Sequence, residues 1–349
     1  IDRIEQMAGA QKVEAVRIEP ASYRPGEVEE TPVGLRPFAA PTPITPFFLD
    51  LPLITGEEVP HAPHIAVTAN PWPGSAALFS ADEDANYTLN RLIAGRTPVG
   101  VTETPLQPGP RGRYDLGSAL QVRMLYGQLE SVGRLALLNG ANLCASGDGT
   151  PDGWEVIQFR DAALIDTDTY LLTHRLRGQG GTERTDPWPV GSYLVRLDGS
   201  PQQIDLPEAK RGLARHYRIG PGGRPVDDPS YGHAVMAFDG VGLRPLSPVH
   251  LRLEGDAGQD RTLHWTRRTR IDGDRWDIPD VPLGEETESY VIRVIQDDAV
   301  IREAAATGPE WTYTAAAQAQ DALSGPYALQ VAQVSARFGV GRFAVLDVT

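Results

Sequence analysis

Hydrophobic and polar positions alternate along this chain over short stretches separated by turn residues. Leu120, Val122 and Met124 alternate with Gln121 and Arg123, and a period of two places alternate side chains on one face of a strand. Similar strand candidates lie at 47–53, 64–68, 76–80, 86–93, 100–104, 154–160, 170–176, 188–195, 203–206, 216–219 and 233–238. The pattern therefore predicts a mostly β protein.

Beyond residue 245, the predicted strands have the spacing of one β-sandwich. They lie at 249–254, 262–267, 289–295, 299–303, 311–314, 329–336 and 343–348. The pattern predicts one helix, Ala315–Ala322. Leu135–Leu143, interrupted by Asn139-Gly140, predicts a hairpin or two short strands instead.

The first fifty residues differ in composition from the rest of the chain. Residues 1–11 predict a short strand or helix and 12–19 a strand, before a run rich in proline. Proline fixes its own φ and donates no hydrogen bond, so this run predicts an extended connector over other surfaces, with a flexible linker as the alternative. Its prolines are Pro20, Pro25, Pro32, Pro37, Pro41, Pro43 and Pro46. The expected domains are 1–50 (strand plus connector), 51–245 (β-rich) and 246–349 (sandwich).

Composition narrows the possible functions of the 349 residues. The formal net charge of −14 disfavours a general DNA-binding role, because an acidic surface repels the phosphate backbone. Cys144 is the only cysteine, which excludes an internal disulfide and a cysteine-based zinc site. The sequence has no apolar run of 18 residues, so a transmembrane helix is not expected. The chain begins at Ile1, and we expect it to be part of something longer.

The stretch from Trp154 to Val195 is the most distinctive part of the sequence. Tyr170, Leu172, His174 and Leu176 have the spacing of one face of a strand. The strand runs into Arg177-Gly-Gln-Gly-Gly-Thr-Glu183, whose three glycines permit a sharp turn or a close approach of two backbones.

Two acidic loops invite a metal interpretation that their spacing does not support. In Asp148-Gly-Thr-Pro-Asp-Gly153, a calcium loop would need an oxygen ligand at its third position and a glutamate at its twelfth. Thr150 and Phe159 stand there, so a turn is favoured. Asp272-Gly-Asp-Arg-Trp-Asp277 offers three carboxylates, but Trp276 occupies a would-be ligand position, which favours a solvated loop.

The other candidate residues do not form a recognisable catalytic, cofactor-binding or metal motif. The seven histidines have no two-histidine helical spacing, and only His61 and His64 are close in sequence. Strand histidines such as His174 and His264 are expected to be structural. The histidines are His61, His64, His174, His216, His233, His250 and His264.

Neither glycine-rich segment has the features of a phosphate loop. Gly178–Thr182 and Gly220–Gly223 are not followed by Lys-Ser/Thr and a helix, and no Gly-x-Ser-x-Gly elbow occurs. Trp72, Trp188 and Tyr193 could line a glycan-binding surface, although such aromatics are more often core residues. The sequence therefore assigns no catalytic, cofactor or metal residue, and a glycosidase-type pair of carboxylates stays open because such pairs meet only in space.

Three segments resemble the C-terminal part of the host-specificity, or megatron, baseplate protein of alphaproteobacterial gene transfer agents and related siphophage tail tips. They are Glu155-Val-Ile-Gln-Phe-Arg-Asp-Ala, Tyr170-Leu-Leu-Thr and Leu176-Arg-Gly-Gln-Gly-Gly-Thr-Glu183. The end of the chain, Leu329-Gln-Val-Ala-Gln-Val-Ser335 with Gly339-Val-Gly341, is also similar to that family. Leu263-His-Trp265 and Tyr290-Val-Ile292 are similar to a fibronectin-type-III-like domain. The resemblance covers about residues 120–349.

The resemblance implies barrel or hub-type β domains followed by a fibronectin-III-like sandwich. It implies a homotrimeric hub in the tail baseplate of an extracellular particle assembled in the bacterial cytoplasm. Such a hub contacts other baseplate and tail tube proteins, closes the tail channel, meets glycans or a receptor of the recipient envelope, and lets DNA pass without sequence recognition. The family's TIM-barrel-like upstream region is not found here, so no enzymatic activity is expected of this region.

The resemblance also changes the interpretation of the arginines in the Gly-rich stretch. Arg175, Arg177 and Arg184 are expected to pair with carboxylates within the assembly instead of with a substrate. The alternative function is a secreted glycan-binding or glycan-active β-sandwich protein. A third possibility is an enzyme whose catalytic residues are too dispersed to recognise.

Overall fold

The computed structural model describes residues 1–17, 42–273 and 280–349. Residues Ile1–Ala40 belong to one compact unit and Pro41–Thr349 to another. In the first unit, β1 (Arg3–Met7) and β2 (Ala10–Glu14) form an antiparallel hairpin. Of the two alternatives predicted for residues 1–11, the structure has the strand. The strand predicted at 12–19 starts and ends earlier, as β2. The predicted connector lies outside the described residues as far as Pro41.

The second unit is built almost entirely from antiparallel strands. Strand residues make up 44% of the structure and helical residues 6%, so the fold is mostly β, as predicted. Its first fourteen strands are β3 (Thr45–Leu49), β4 (His64–Thr68), β5 (Ala76–Ala81), β6 (Thr88–Ile93), β7 (Val99–Thr102), β8 (Tyr114–Asp115), β9 (Leu120–Tyr126), β10 (Leu143–Gly147), β11 (Trp154–Asp166), β12 (Thr169–Gln179), β13 (Tyr193–Arg196), β14 (Gln202–Gln203), β15 (Arg215–Pro221) and β16 (Gly232–Met236).

Six of these strands close into a barrel. The hydrogen-bonded order is β11-β10-β13-β7-β9-β12, and the pairing of β12 with β11 completes the ring. The short β8 pairs with β12 beyond the end of β9. Leu120, Val122 and Met124 are buried in the same core cluster as Phe159 and Trp188. The alternation in β9 thus points its apolar side chains into the barrel core.

In the three-stranded sheet β14-β4-β3, the strands β3 and β4 are buried on both faces. Phe48 and Ile65 belong to a core shared with the four-stranded sheet β16-β15-β5-β6, whereas Phe47 and Ala66 belong to a core shared with the barrel. Double burial explains why these strands are continuously apolar instead of alternating. Pro46, the last proline of the predicted connector, lies within β3.

Residues 134–138 form a short helix, α1 (Arg134–Leu138), and turns follow as far as residue 142. The hairpin or strands predicted for 135–143 are therefore wrong except at Leu143, where β10 begins. The Gln158 side chain donates hydrogen bonds to the carbonyls of Leu137 (2.7 Å) and Ala141 (2.8 Å). Gly140, at φ 94°, follows the helix end, so Asn139-Gly140 terminates a helix instead of turning a hairpin. A partner distant in sequence therefore decided this local structure.

The C-terminal strands form a separate pair of sheets. They are β17 (Val249–Glu254), β18 (Arg261–Thr266), β19 (Tyr290–Gln296), β20 (Ala299–Ala306), β21 (Glu310–Tyr313), β22 (Tyr327–Ser335), β23 (Gly339–Val340) and β24 (Ala344–Val348), with helix α2 (Ala315–Asp321) between β21 and β22. One sheet has the order β17-β18-β21, and the other is β20-β19-β22, with β23 and β24 both pairing with β22. Trp265 and Tyr290 pack edge to face at 5.0 Å in their core. This is the predicted fibronectin-III-like sandwich.

Helix α2 confirms the predicted helix within one residue of its end. The side chain of Thr314 accepts a hydrogen bond from the Ala317 amide and caps its first turn. Neither α-helix in the described ranges has the length and hydropathy needed to cross a bilayer.

Candidate functional site

The strand β12 changes its buried face at His174. Tyr170 and Leu172 are buried, as the alternation predicts, but Arg175 and Arg177 are buried further along instead of His174 and Leu176. His174 has a positive φ of 50°, which interrupts the regular strand geometry. The predicted face is therefore wrong beyond Leu172, and the irregularity turns two arginines towards the protein interior.

Arg177 meets Glu155 in the interior. Its Nε and Nη2 donate to the two carboxylate oxygens of Glu155 at 2.9 and 2.8 Å. Glu155 also accepts from the Gly178 amide (3.1 Å) and from Nε1 of Trp188 (3.1 Å). The side chains of Arg177 and Glu155 are 2% and 1% exposed. Four hydrogen bonds thus compensate a carboxylate that burial would otherwise make very costly.

Asp115, at the end of β8, completes this ion cluster. Its Oδ2 accepts from Nε and Nη2 of Arg175 (3.0 and 2.9 Å) and from Nη1 of Arg177 (3.2 Å), and its Oδ1 accepts from the Gly117 amide. Burial by itself raises the pKa of Asp115, but the Gly117 amide and the two arginines together hold that pKa below its ordinary value. Two arginines and two carboxylates balance in charge, so the cluster is satisfied without a substrate.

Arg184 behaves differently from the other two arginines. Its guanidinium lies 4.0 Å from the centre of the Trp188 ring, a cation–π contact. Within the described residues it forms no ion pair, and its Nε is buried without a hydrogen-bond partner. Arg175 and Arg177 therefore pair with carboxylates of their own chain, whereas the pairing expected for Arg184 within an assembly stays a prediction.

Glu183, at the end of the Gly-rich segment, joins the barrel to the sandwich. Its Oε1 accepts from Nη1 of Arg111, in the loop before β8, at 2.6 Å. The same oxygen accepts from Nη1 of Arg268, just after β18, at 3.2 Å, and its carbonyl accepts from Arg342, just before β24, at 2.9 Å. Gly181 has a φ of 79°, which favours glycine, and a Cβ there would also meet the Leu246 side chain.

A cleft of about 850 Å³ lies beside this joint. Its lining includes Arg111, Arg184, Arg342, His250 and Phe343. Burial lowers the pKa of Arg342. The cleft is also lined by Ser247 and Asp186. In this part of the described chain, no hydrogen bond joins Ser247, Asp186 and His250 to one another. The cleft is thus rich in cations and lacks the contact between nucleophile and base that acyl transfer requires.

The other sequence candidates have structural surroundings. The Asp148 carboxylate accepts from the amide and hydroxyl of Thr150 (2.9 and 2.6 Å), which makes the loop a turn, as favoured. His61 bonds the Leu206 carbonyl at 2.9 Å, and His264 lies 3.8 and 3.6 Å from the carboxylates of Glu254 and Glu310. Within 272–277, residues 274–277 lie outside the described residues.

The aromatic residues considered for glycan binding do not form an exposed platform. Trp188 is 2% exposed in the barrel core. Trp72 packs against the core shared by the sheets β14-β4-β3 and β16-β15-β5-β6. Tyr193 packs against Phe47 with ring centres 4.7 Å apart. Their side chains therefore support the fold.

One cluster escaped the sequence analysis. His216 and His233 lie 17 residues apart, and their rings meet on neighbouring strands with Nδ1 and Nε2 3.0 Å apart, beside Asp84. The useful signal would have been the pairing of two predicted strands, 216–219 and 233–238, across a short loop.

Comparison with solved structures returns modular β-sandwich proteins at low similarity. A cytokine receptor complex is 11% identical with a TM-score of 0.22, covering 66% of this chain and 91% of that one. The chicken CNTN1 FN1–FN3 domains are 10% identical with a TM-score of 0.22, covering 88% and 97%. Titin domains A168–A170 are 11% identical with a TM-score of 0.21, covering 88% and 99%.

Sequence comparison gives one match. No curated protein matches the chain at a significant level. Residues 97–195, less than a third of the chain but most of the barrel, match the family model described as "Rcc01698-like, C-terminal".

Proposed function

We propose that this chain is a structural hub component of the tail baseplate of a gene transfer agent or a related phage-like particle. Three of the segments that carry this resemblance, 155–162, 170–173 and 176–183, lie within the matched range 97–195, whereas the similar chain end, 329–341, lies outside it. The observation that carries the proposal is what the charged side chains of those segments contact. Glu155 and Arg177 are committed to a buried ion cluster and Glu183 to a joint between two β modules, instead of to a substrate.

The geometry suits a part that carries mechanical load. A closed barrel leaves no free strand edge within its ring. The Arg177–Glu155 pair crosses the β11–β12 seam at which the ring closes. Glu183 then ties the barrel to both the β18 and β24 sides of the sandwich. Movement of the sandwich on contact with an envelope would therefore be transmitted to the barrel.

In this proposal, the chain forms a homotrimer that contacts other baseplate and tail tube proteins. It closes the channel, takes part in attachment to the recipient envelope, and opens for DNA ejection. The net charge of −14 suits a conduit that does not hold DNA, because like charges repel. In this proposal, the part of the protein formed by residues 1–349 has a structural role and catalyses no reaction.

The test is the location of the polypeptide in purified particles. Electron microscopy of particles carrying a tagged chain should place three copies at the tail tip. Particles bearing Glu183→Ala should contain the chain but deliver less DNA, while Glu310→Ala, at a side chain 67% exposed, should deliver normally. Purified, infective particles that lack the chain would refute the proposal.

A second candidate, a glycan-binding protein, is favoured by the cationic cleft. Arg111, Arg184 and Arg342 line it, and Nε of Arg184 and Oε2 of Glu183 are buried there without partners among the described residues. The arginines suit the carboxylates of an acidic oligosaccharide, and Oε2 of Glu183 suits a donating sugar hydroxyl. Calorimetry should then show binding of uronic acid oligomers but not of neutral ones, with loss of binding in Arg184→Ala. If Arg184→Ala bound uronic acid oligomers as tightly as the wild type, the cleft would be excluded as the binding site.

A further inference from the structure

We propose that His216, His233 and Asp84 form a binding site for a divalent transition metal such as Zn²⁺ on the four-stranded sheet. One ligand atom from each residue lies within 4.8 Å of the others. The two histidines come from β15 and β16, and the aspartate from the segment after β5, so the metal would tie three parts of the sheet together.

Strand register brings the two histidines together. In the antiparallel pairing of β15 and β16, His216 is opposite Val235, and Arg218 is opposite His233. His216 and His233 are therefore diagonal neighbours on one face, within reach of each other's side chains. Their rings are nearly parallel, at 13°, with centres 5.2 Å apart. Nδ1 of His216 lies 3.0 Å from Nε2 of His233.

These separations are close to those of ligands on one metal ion. Zinc–nitrogen bonds of about 2.0–2.1 Å at tetrahedral angles put two ligand nitrogens about 3.3 Å apart. The histidine pair thus needs to open by a few tenths of an ångström. Oδ1 of Asp84 lies 4.0 Å from Nε2 of His233. Because this oxygen already accepts two hydrogen bonds, the carboxylate needs to turn so that Oδ2 joins the same ion.

Asp84 is held in place by other side chains and keeps one oxygen available. Its Oδ1 accepts from the Tyr87 hydroxyl (2.6 Å) and from Nη2 of Arg218 (3.0 Å). Its Oδ2 accepts no hydrogen bond within the described part of the chain. Hydrogen bonds of this kind orient a ligating carboxylate, as the outer partners of metal ligands do.

The ligand set selects the metal class. Two imidazoles and one carboxylate suit Zn²⁺, Ni²⁺, Co²⁺ or Cu²⁺, whereas Ca²⁺ and Mg²⁺ prefer sites made of oxygen. The side chains of His233 and Asp84 are 38% and 49% exposed, so the ion can enter from solvent and water can fill the fourth position. The competing account is a simple N–H···N hydrogen bond between the rings, which requires no metal.

The test is metal titration of the full chain after removal of metals with EDTA. Calorimetry with Zn²⁺ should show one saturable site, and Co²⁺ should give visible absorption bands typical of nitrogen and oxygen ligands in tetrahedral geometry. His216→Ala and His233→Ala should each weaken Zn²⁺ binding at least tenfold, and Asp84→Asn should weaken it measurably.

Two variants serve as matched controls. His250→Asn removes a histidine at a positive φ of 55°, which asparagine tolerates, and Asp82→Asn removes a carboxylate that pairs with Lys210 and Arg215. Both should bind Zn²⁺ like the wild type. Unchanged circular dichroism would show that the histidine variants are folded. The proposal would be overturned if the wild type showed no single Zn²⁺ site, or if it bound Ca²⁺ as tightly as Zn²⁺. It would also be overturned if folded His216→Ala and His233→Ala bound Zn²⁺ as tightly as the wild type.

Discussion

Arg177 and Glu155 form a bidentate ion pair across the seam at which the barrel closes. Their two hydrogen bonds measure 2.9 and 2.8 Å, and both side chains are almost fully excluded from solvent. Glu155 lies on β11 and Arg177 on β12, the strands whose pairing completes the ring. Closure of the barrel and burial of these charges therefore depend on each other.

Removal of Arg177 should destabilise the barrel severely. Arg177→Met leaves Glu155 buried without its countercharge, a loss of about 3–5 kcal/mol in the free energy of unfolding. The charge reversal Arg177→Glu should prevent folding and hence assembly. Urea unfolding followed by tryptophan fluorescence measures the first effect.

The exposed pair Arg123–Glu103 provides the control for Arg177. These side chains are 51% and 33% exposed, so Arg123→Met should cost less than about 1 kcal/mol. If Arg177→Met were no more damaging than Arg123→Met, the seam would not depend on this ion pair.

Glu183→Ala should uncouple the sandwich from the barrel. The variant leaves the guanidinium groups of Arg111 and Arg268 without their shared acceptor, at a cost of about 1–3 kcal/mol. Calorimetry should show two unfolding transitions that are further apart than in the wild type. Glu303→Ala, which removes an exposed pair with Arg293, should leave the transitions unchanged. Transitions in Glu183→Ala that are no further apart than in the wild type would show that the joint is held by other contacts.

Asp50 should make stability fall as pH rises. Burial raises the pKa of Asp50 to about 6 from 3.8, although the amides of Val241 and Gly240 donate to it. Between these two values the unfolded chain loses a proton that the folded chain keeps, so the free energy of unfolding decreases by about 3 kcal/mol across this window.

The Asn variant isolates this contribution of Asp50. Asp50→Asn has no such titration, so its stability relative to the wild type should improve by about 3 kcal/mol from pH 4 to pH 7. Urea unfolding at several pH values measures the difference between the two proteins. A difference that is constant with pH would disprove the assignment.

Asp321 should be critical to the sandwich alone. It accepts two hydrogen bonds of 2.7 Å from Arg302 and one of 2.6 Å from the Tyr313 hydroxyl, with its side chain 6% exposed. Asp321→Ala should cost about 1–3 kcal/mol, because it leaves the hydroxyl of the buried Tyr313 and the half-buried guanidinium of Arg302 without this acceptor. Thermal unfolding of the variant should show a lower transition for the sandwich only. The exposed Asp347→Ala should stay within about 0.5 kcal/mol of the wild type.

Local patterning predicted strand bounds well, both in a strand with one buried face and in a strand buried on both faces. The bounds predicted for 64–68 and 249–254 agree with β4 and β17. The same reasoning failed for α1, whose carbonyls are bonded by Gln158, a residue about twenty positions away. It also failed at His174, because a positive φ at one residue reverses which side of a strand is buried.

The sequence by itself determined the mostly β fold, the sandwich strands and the glycine-rich bend, because these depend on side-chain alternation and on backbone freedom within a few residues. Only the tertiary structure decided that Arg177 meets Glu155, that Glu183 joins two modules, and that His216 meets His233. These contacts depend on strand order and register. Both are set by burial summed over the whole chain, which no local pattern contains.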